Sequence, residues 1–293
     1  MKLINCGDSW AWGAELVLSQ STPNGWMCDH KDHFTKENME YRLNNRYIKL
    51  FSDKINATEL VDLSLPSYSN EGIYRTLLRY LAMEGYLSGR DTSNLFVNIG
   101  WTSPERKEHG CDISQMHATA PPELELFKAN QDERWFSVGP WILSIDYKNS
   151  EITNFFKSYI KYFWTDIESI YRWISIIKNA ENLLKRHNIK YVMHQAFFHF
   201  YKNGHNKIEN WNDEIYKKQT IDNWTVFEQE IFKTIDPTYF VDKDVFLKTF
   251  HNTVLEKAGK DGTKLFNCFH PNALAHSIWA EHLYDFCMKN KLL

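Results

Sequence analysis

The chain lacks any apolar run approaching the about eighteen residues that a membrane-spanning helix needs. It also lacks a dominant charge: 34 Lys and Arg stand against 37 Asp and Glu, a formal net charge of −3. That balance gives no electrostatic reason to expect nucleic acid as a partner. Local basic pieces such as Lys185-Arg186-His187 read as the solvated end of a helix. The five cysteines (6, 28, 111, 268 and 287) are odd in number and lack framework spacing. That argues against a disulfide scaffold, and reduced thiols in a cytosolic setting are expected. No low-complexity tract or internal repeat interrupts the chain, and the residues before the first apolar run leave no room for a cleavable signal.

What is present is ordinary for a globule, with 43% apolar and 24% charged residues. Aromatic residues are abundant at 15%, including 11 Trp and 15 Tyr. Core and helix packing accounts for most of them; a surface for sugars, aromatic ligands or partner proteins is the rival use. At 293 residues, one large α/β domain with insertions is expected.

Four short apolar segments, 2–6, 59–65, 94–100 and 189–198, read as buried strands of a parallel sheet. Helical patterns follow them. Residues 70–86 carry Ile73, Leu77, Leu78, Leu81 and Met83 at helical spacing. Residues 151–186 form one long amphipathic stretch, with Phe155, Ile160, Phe163, Ile167, Ile170 and Ile174 along a face. A last helix covers 272–288. Alternating strand and helix predict a central parallel sheet between two helical layers. Segments 103–150 and 200–250 are less regular, broken by Pro121-Pro122, Gly139-Pro140 and Asp236-Pro237, and are expected to be insertions over one core.

Two places carry chemistry. Gly7-Asp8-Ser9 follows the first strand, where a glycine break can project a serine hydroxyl from the carboxyl end of the sheet. Cys268-Phe269-His270-Pro271-Asn272 precedes the last helix, so a serine at one end of the chain faces a histidine from the other. Together they suggest a nucleophile and its base. The plainer role for Ser9 is to cap the following helix, and for Asp8 to hold the turn by binding backbone amides. Cys28, Asp29, His30, Asp32 and His33 have ligand chemistry, but no second Cys/His pair follows at finger spacing, and the segment reads as a polar loop. His194 sits in an apolar strand and reads as a core histidine bonded to backbone, with His199 and His205 nearby in sequence. His276 and His282 read as packing or surface residues, and Arg75 and Arg106 as partners of nearby carboxylates. The run from Trp164 to Trp173 reads as packing rather than a sugar platform.

In four separated blocks, in order along its length, the chain resembles the SGNH (GDSL-type) hydrolase family. Gly7-Asp8-Ser9-Trp10-Ala11-Trp12-Gly13 is similar to the first block, and Leu65-Pro66-Ser67-Tyr68-Ser69-Asn70 to the second. Gly100-Trp101-Thr102-Ser103 falls on the third and Asn267-Cys268-Phe269-His270 on the last. The stretch 100–106 is also similar to ones in SGNH-like proteins of marine bacteria and their phages. The resemblance implies a flavodoxin-like three-layer α/β/α sandwich and ester hydrolysis without a cofactor. It makes Ser9 the nucleophile and His270 the base.

The departures are specific. The second-block glycine is Ser67, the third-block asparagine is Thr102, and the final aspartate is Asn267. The expected oxyanion donors are the backbone N–H groups of Ser9 and Ser67 and the Thr102 hydroxyl, with Ser69 or Asn70 as a substitute and Asp8 in support. Asn267 would orient the imidazole through its amide oxygen, giving a slower pair than a carboxylate would. Two readings stay open. One is an esterase, acting on a small-molecule or glycan ester such as an O-acetylated carbohydrate, in the cytoplasm. The other is a degenerate SGNH domain serving as a binding or structural module, for example virion-associated and assembled into a phage particle. Neither involves nucleic acid, a membrane or a bound metal.

Overall fold

The computed structural model describes residues 1–14, 16, 35–65, 68–110, 135–138, 150–196, 226–243, 249–259, 266–267 and 270–293. Its centre is a four-stranded sheet of β1 (Lys2–Cys6), β2 (Glu59–Asp62), β3 (Leu95–Trp101) and β6 (Lys190–Gln195), in the order β2-β1-β3-β6. Every pairing in it is parallel. A single parallel bridge, Met193 to Phe240, extends the β6 edge. Two small antiparallel pairs stand apart: β4 (Lys107–Gly110) with β5 (Trp135–Val138), and β7 (Phe266–Asn267) with β8 (His270–Pro271).

Helices cover both faces, and the alternation along each strand decides which residue meets which layer. Ile4, Val97 and Tyr191 point to one side. There they meet α4 (Asn70–Met83), α6 (Asp166–Arg186) and Phe232 of α7 (Val226–Lys233). Leu3, Phe96 and Val192 point to the other. That layer holds α1 (Ser9–Trp12), α3 (Tyr47–Lys54), α8 (Phe250–Ala258) and α9 (Ala273–Lys289). The expected α/β/α sandwich is therefore present. Helices α2 (Lys36–Asn45) and α5 (Ser150–Phe163) complete the described set. No helix among the described residues is long and apolar enough to cross a membrane.

Three expectations are corrected. The 59–65 segment is a strand only over Glu59–Asp62 and is partly exposed, because it lies at the sheet edge with β1 on one side only. The 151–186 stretch is two helices, since the Thr165 hydroxyl accepts from the Glu168 N–H and starts a new one. In the first of these helices Phe156 and Ile160, one turn apart, form the buried face. Ile160, Ile170 and Ile174 are buried, whereas Phe155, Phe163 and Ile167 are 60%, 72% and 55% exposed. Met83 is also exposed, because its helix ends there. Of the two expected insertions, the described parts are the β4–β5 pair and the 226–243 segment, whose Phe232, Ile235 and Phe240 join the core.

Candidate active site

The order of strands reverses between β1 and β3, and their carboxyl ends flank the crevice where open α/β sheets bind ligands. Gly7 ends β1. A side chain there would collide with the Cβ of Ala11, so glycine lets α1 fold back tightly on the strand. Asp8 caps the helix: its Oδ1 accepts from the Trp10 N–H at 3.0 Å. Its carbonyl accepts from Trp12, and that of Ser9 from Ala14. Gly13, at φ +81°, closes the turn in the left-handed region.

This turn presents Ser9, only 6% exposed, to His270 from the far end of the chain. The His270 Nε2 lies 2.9 Å from the Ser9 Oγ. With the ring hydrogen on Nδ1, Nε2 accepts from the serine hydroxyl, as a general base requires. His270 comes from β8, whose partner residue across the antiparallel pair is Asn267. Two residues later, Asn272 Oδ1 accepts from the Ala275 N–H and starts α9. The Trp10 ring packs 6.4 Å from the imidazole and edge-on to Phe250 at 5.2 Å.

The third-block position behaves differently from expectation. The Thr102 hydroxyl donates to Asp8 Oδ2 at 2.6 Å and is fully buried. Its one hydrogen is thus committed to a carboxylate and is not offered to an oxyanion. The substitute Asn70 is engaged too. Its Oδ1 accepts from the Thr102 N–H at 3.0 Å, and its Nδ2 donates to the carbonyls of Thr102 and Ser103 at 3.2 Å. Ser69 caps α4 by accepting from Gly72. Ser67 and the side chain of Asn267 lie outside the described residues.

Burial pushes the Asp8 carboxyl up from the usual carboxylate range, and the Arg106 guanidinium and the Thr102 hydroxyl oppose that. Arg106 Nη1 is 3.4 Å from Asp8 Oδ2, and Arg75 pairs with Glu108 at 3.1 Å, so both arginines have the carboxylate partners expected of them. His282 Nε2 bonds Asp242 Oδ2 at 2.6 Å. Trp173 is buried against Phe232, a packing role. Cys28, His30, Asp32, His33, His199 and His205 lie outside the described residues. Among those described, no group of three or more His, Cys, Asp or Glu could hold a metal ion.

A buried polar row under the site escapes the sequence reading. Asn5 Nδ2 donates to Asp62, Asn98 Nδ2 donates to Asn5 Oδ1 and to the Tyr47 hydroxyl, and that hydroxyl is 3.1 Å from His194 Nε2. Asp62 is also paired with Arg46. His194 thus meets a tyrosine hydroxyl that the expectation did not include. Gly100 makes the room, because a Cβ there would sit 2.9 Å from the His194 ring. On the far side of Tyr47, its N–H donates to His276 Nδ1 at 3.1 Å. Burial lowers both His194 and His276 to about 3, so both rings are neutral. The sequence signals for this row are an asparagine in the middle of each of two apolar strands and the histidine in a third.

No protein-family model and no curated protein matches the chain. Solved structures do. The psychrotrophic esterase EstA from Pseudoalteromonas sp. is 12% identical, with 98% of this chain and 97% of that one covered at a TM-score of 0.41. The acetyl-xylooligosaccharide esterase Axe2 from Geobacillus stearmophilus is 14% identical, with 97% and 93% covered at 0.40. Phospholipase A1 from Streptomyces albidoflavus is 10% identical, with 97% and 98% covered at 0.37.

Proposed function

We propose that the chain is a divergent SGNH hydrolase that cleaves a carboxylic ester. The observation that carries the reading is the 2.9 Å approach of His270 Nε2 to Ser9 Oγ across 261 residues of chain. His270 takes the serine proton as Oγ attacks the acyl carbon, and a tetrahedral oxyanion forms. The imidazolium then protonates the leaving alcohol, which leaves an acyl group on Ser9. Water gives its proton to His270, attacks the acyl carbon, and the acid departs as Ser9 regains its hydrogen. Asn267 holds the Nδ1 side of the ring through its amide oxygen. The oxyanion donors reduce to the backbone N–H groups of Ser9 and Ser67.

No step needs a cofactor. The low exposure of Ser9 favours a short acyl group, and an O-acetylated carbohydrate is the proposed substrate class. A second reading, a binding or structural module such as a phage particle component, is favoured by one observation: the Thr102 hydroxyl is committed to Asp8, and the Asn70 amide to the backbone of Thr102 and Ser103. Hydrolysis of short-chain nitrophenyl esters, followed by acetate release from acetylated glycans, separates the two. The esterase reading expects turnover that Ser9→Ala abolishes. Folded protein with no turnover, or turnover that survives the substitution, supports the module.

A further inference from the structure

We propose that Asp8 is a positioning residue, clamped by the Thr102 hydroxyl, and that this clamp holds the Ser9 hydroxyl in reach of His270. The inference rests on the serine-hydrolase reading above and assigns a new task to the residue standing where an oxyanion donor was expected.

Each oxygen of the Asp8 carboxylate is tied to a different element. Oδ1 accepts from Trp10 within the nucleophile's own helical turn. Oδ2 accepts from Thr102 beyond the end of β3, with Arg106 at 3.4 Å. Thr102 is itself a fixed post. Its N–H donates to Asn70 Oδ1 at the start of α4, and its carbonyl accepts from Gln195 Nε2 at 2.7 Å at the end of β6. Gln195 is in turn held by the Trp173 indole N–H at 3.1 Å. The turn that carries Ser9 is therefore anchored through one hydroxyl to both flanking secondary structures.

A structural cap alone does not call for this arrangement. Asparagine or serine would cap the same turn without burying a carboxyl group, which is unfavourable unless hydrogen-bonding partners meet it. The Asp8 carboxyl meets such partners in the short bond from Thr102 and in Arg106 at 3.4 Å, and the position of Asp8 sets the backbone of its neighbour Ser9. A displacement of about 1 Å at such a site costs about 10²-fold in rate.

The test compares wild type with Thr102→Val, Thr102→Ser and Asp8→Asn. For each, the second-order rate of fluorophosphonate labelling, the melting temperature and a crystal structure are measured. Thr102→Val is expected to label about 10²-fold more slowly, with the Ser9–His270 separation opened beyond hydrogen-bond reach. Thr102→Ser, which restores the hydroxyl, is expected to recover most of the rate. Asp8→Asn keeps an oxygen for Trp10 and is expected to label slowly at a near-native melting temperature, which covers a failure of Thr102→Val to fold. Native labelling rates in folded Thr102→Val or Asp8→Asn would overturn the proposal, as would equal slowing in the Val and Ser variants with the separation unchanged. If the wild type itself is not labelled, the esterase reading fails, and the crystal structures alone decide the clamp: an opened separation supports it and an unchanged one overturns it.

Discussion

The two halves of the Ser9–His270 pair are held by different kinds of chemistry. Ser9 sits in a turn fixed by buried hydrogen bonds, through Asp8, Thr102, Asn70 and Gln195, each anchored to a strand end or a helix start. His270 comes from a two-residue strand and leads into α9. What backs it is ring packing: Trp10 against Phe250, Phe250 stacked on Trp279, and His276 stacked on Tyr47. Buried hydrogen bonds define the serine side, and tertiary packing of the last helix delivers the histidine.

Four outcomes sharpen or break this contrast. The largest concerns the pair itself: Ser9→Ala and His270→Ala should each lower ester turnover by on the order of 10³-fold or more, and the double variant should lose little beyond either single one. Additive losses in the double variant would break the idea of one unit.

Acid should loosen the histidine side next. His194 and His276 are lowered from 6.5 to about 3 by burial, so below about 6.5 the unfolded chain binds protons that the native chain refuses. Stability contributed by the neutral rings is therefore present above about 6.5 and is lost as pH falls toward 3, at about 1.4 kcal/mol per unit for each histidine. Urea midpoints at pH 7, 6 and 5 should fall in that order. Turnover should fall over the same direction of pH for a separate reason, since protonated His270 accepts no proton.

Core truncations compare the two sheet faces directly. Trp279→Ala should cost about 3–5 kcal/mol and also slow turnover in the protein that remains folded, because α9 carries the histidine side. Leu77→Ala, on the opposite face, should cost about 2–5 kcal/mol with turnover per folded molecule unchanged. Equal effects on turnover would erase the distinction. The smallest effect is expected at Asn272→Ala, where loss of the cap to Ala275 should cost about 1 kcal/mol in chemical denaturation.

The legible parts of the fold are those with local causes. The 2–6, 94–100 and 189–198 runs became β1, β3 and β6 because each is apolar and buried by helices on both faces. The last helix was legible because Asn272 caps it. The break at Thr165 has a local cause in the sequence as well, since Thr165 followed by Glu168 is a capping-box pattern, while the apolar spacing runs on across it. Half-burial of β2 was not legible, since an edge position depends on strand order and not on composition. At the site, Gly7-Asp8-Ser9 and His270 could be read from residue type, and their approach follows from topology. The role of Thr102 could not, because its hydroxyl meets a carboxylate 94 residues earlier in the chain. The Asn5–Asn98 row was similarly hidden, since only strand register sets those two side by side.

The most direct measurement is peptide mapping by mass spectrometry after treatment with a fluorophosphonate. A single adduct on the peptide carrying Ser9, absent from Ser9→Ala and strongly reduced in His270→Ala, is the predicted result. Folded protein that takes up no phosphonate, or takes it up on a different residue, would contradict the account.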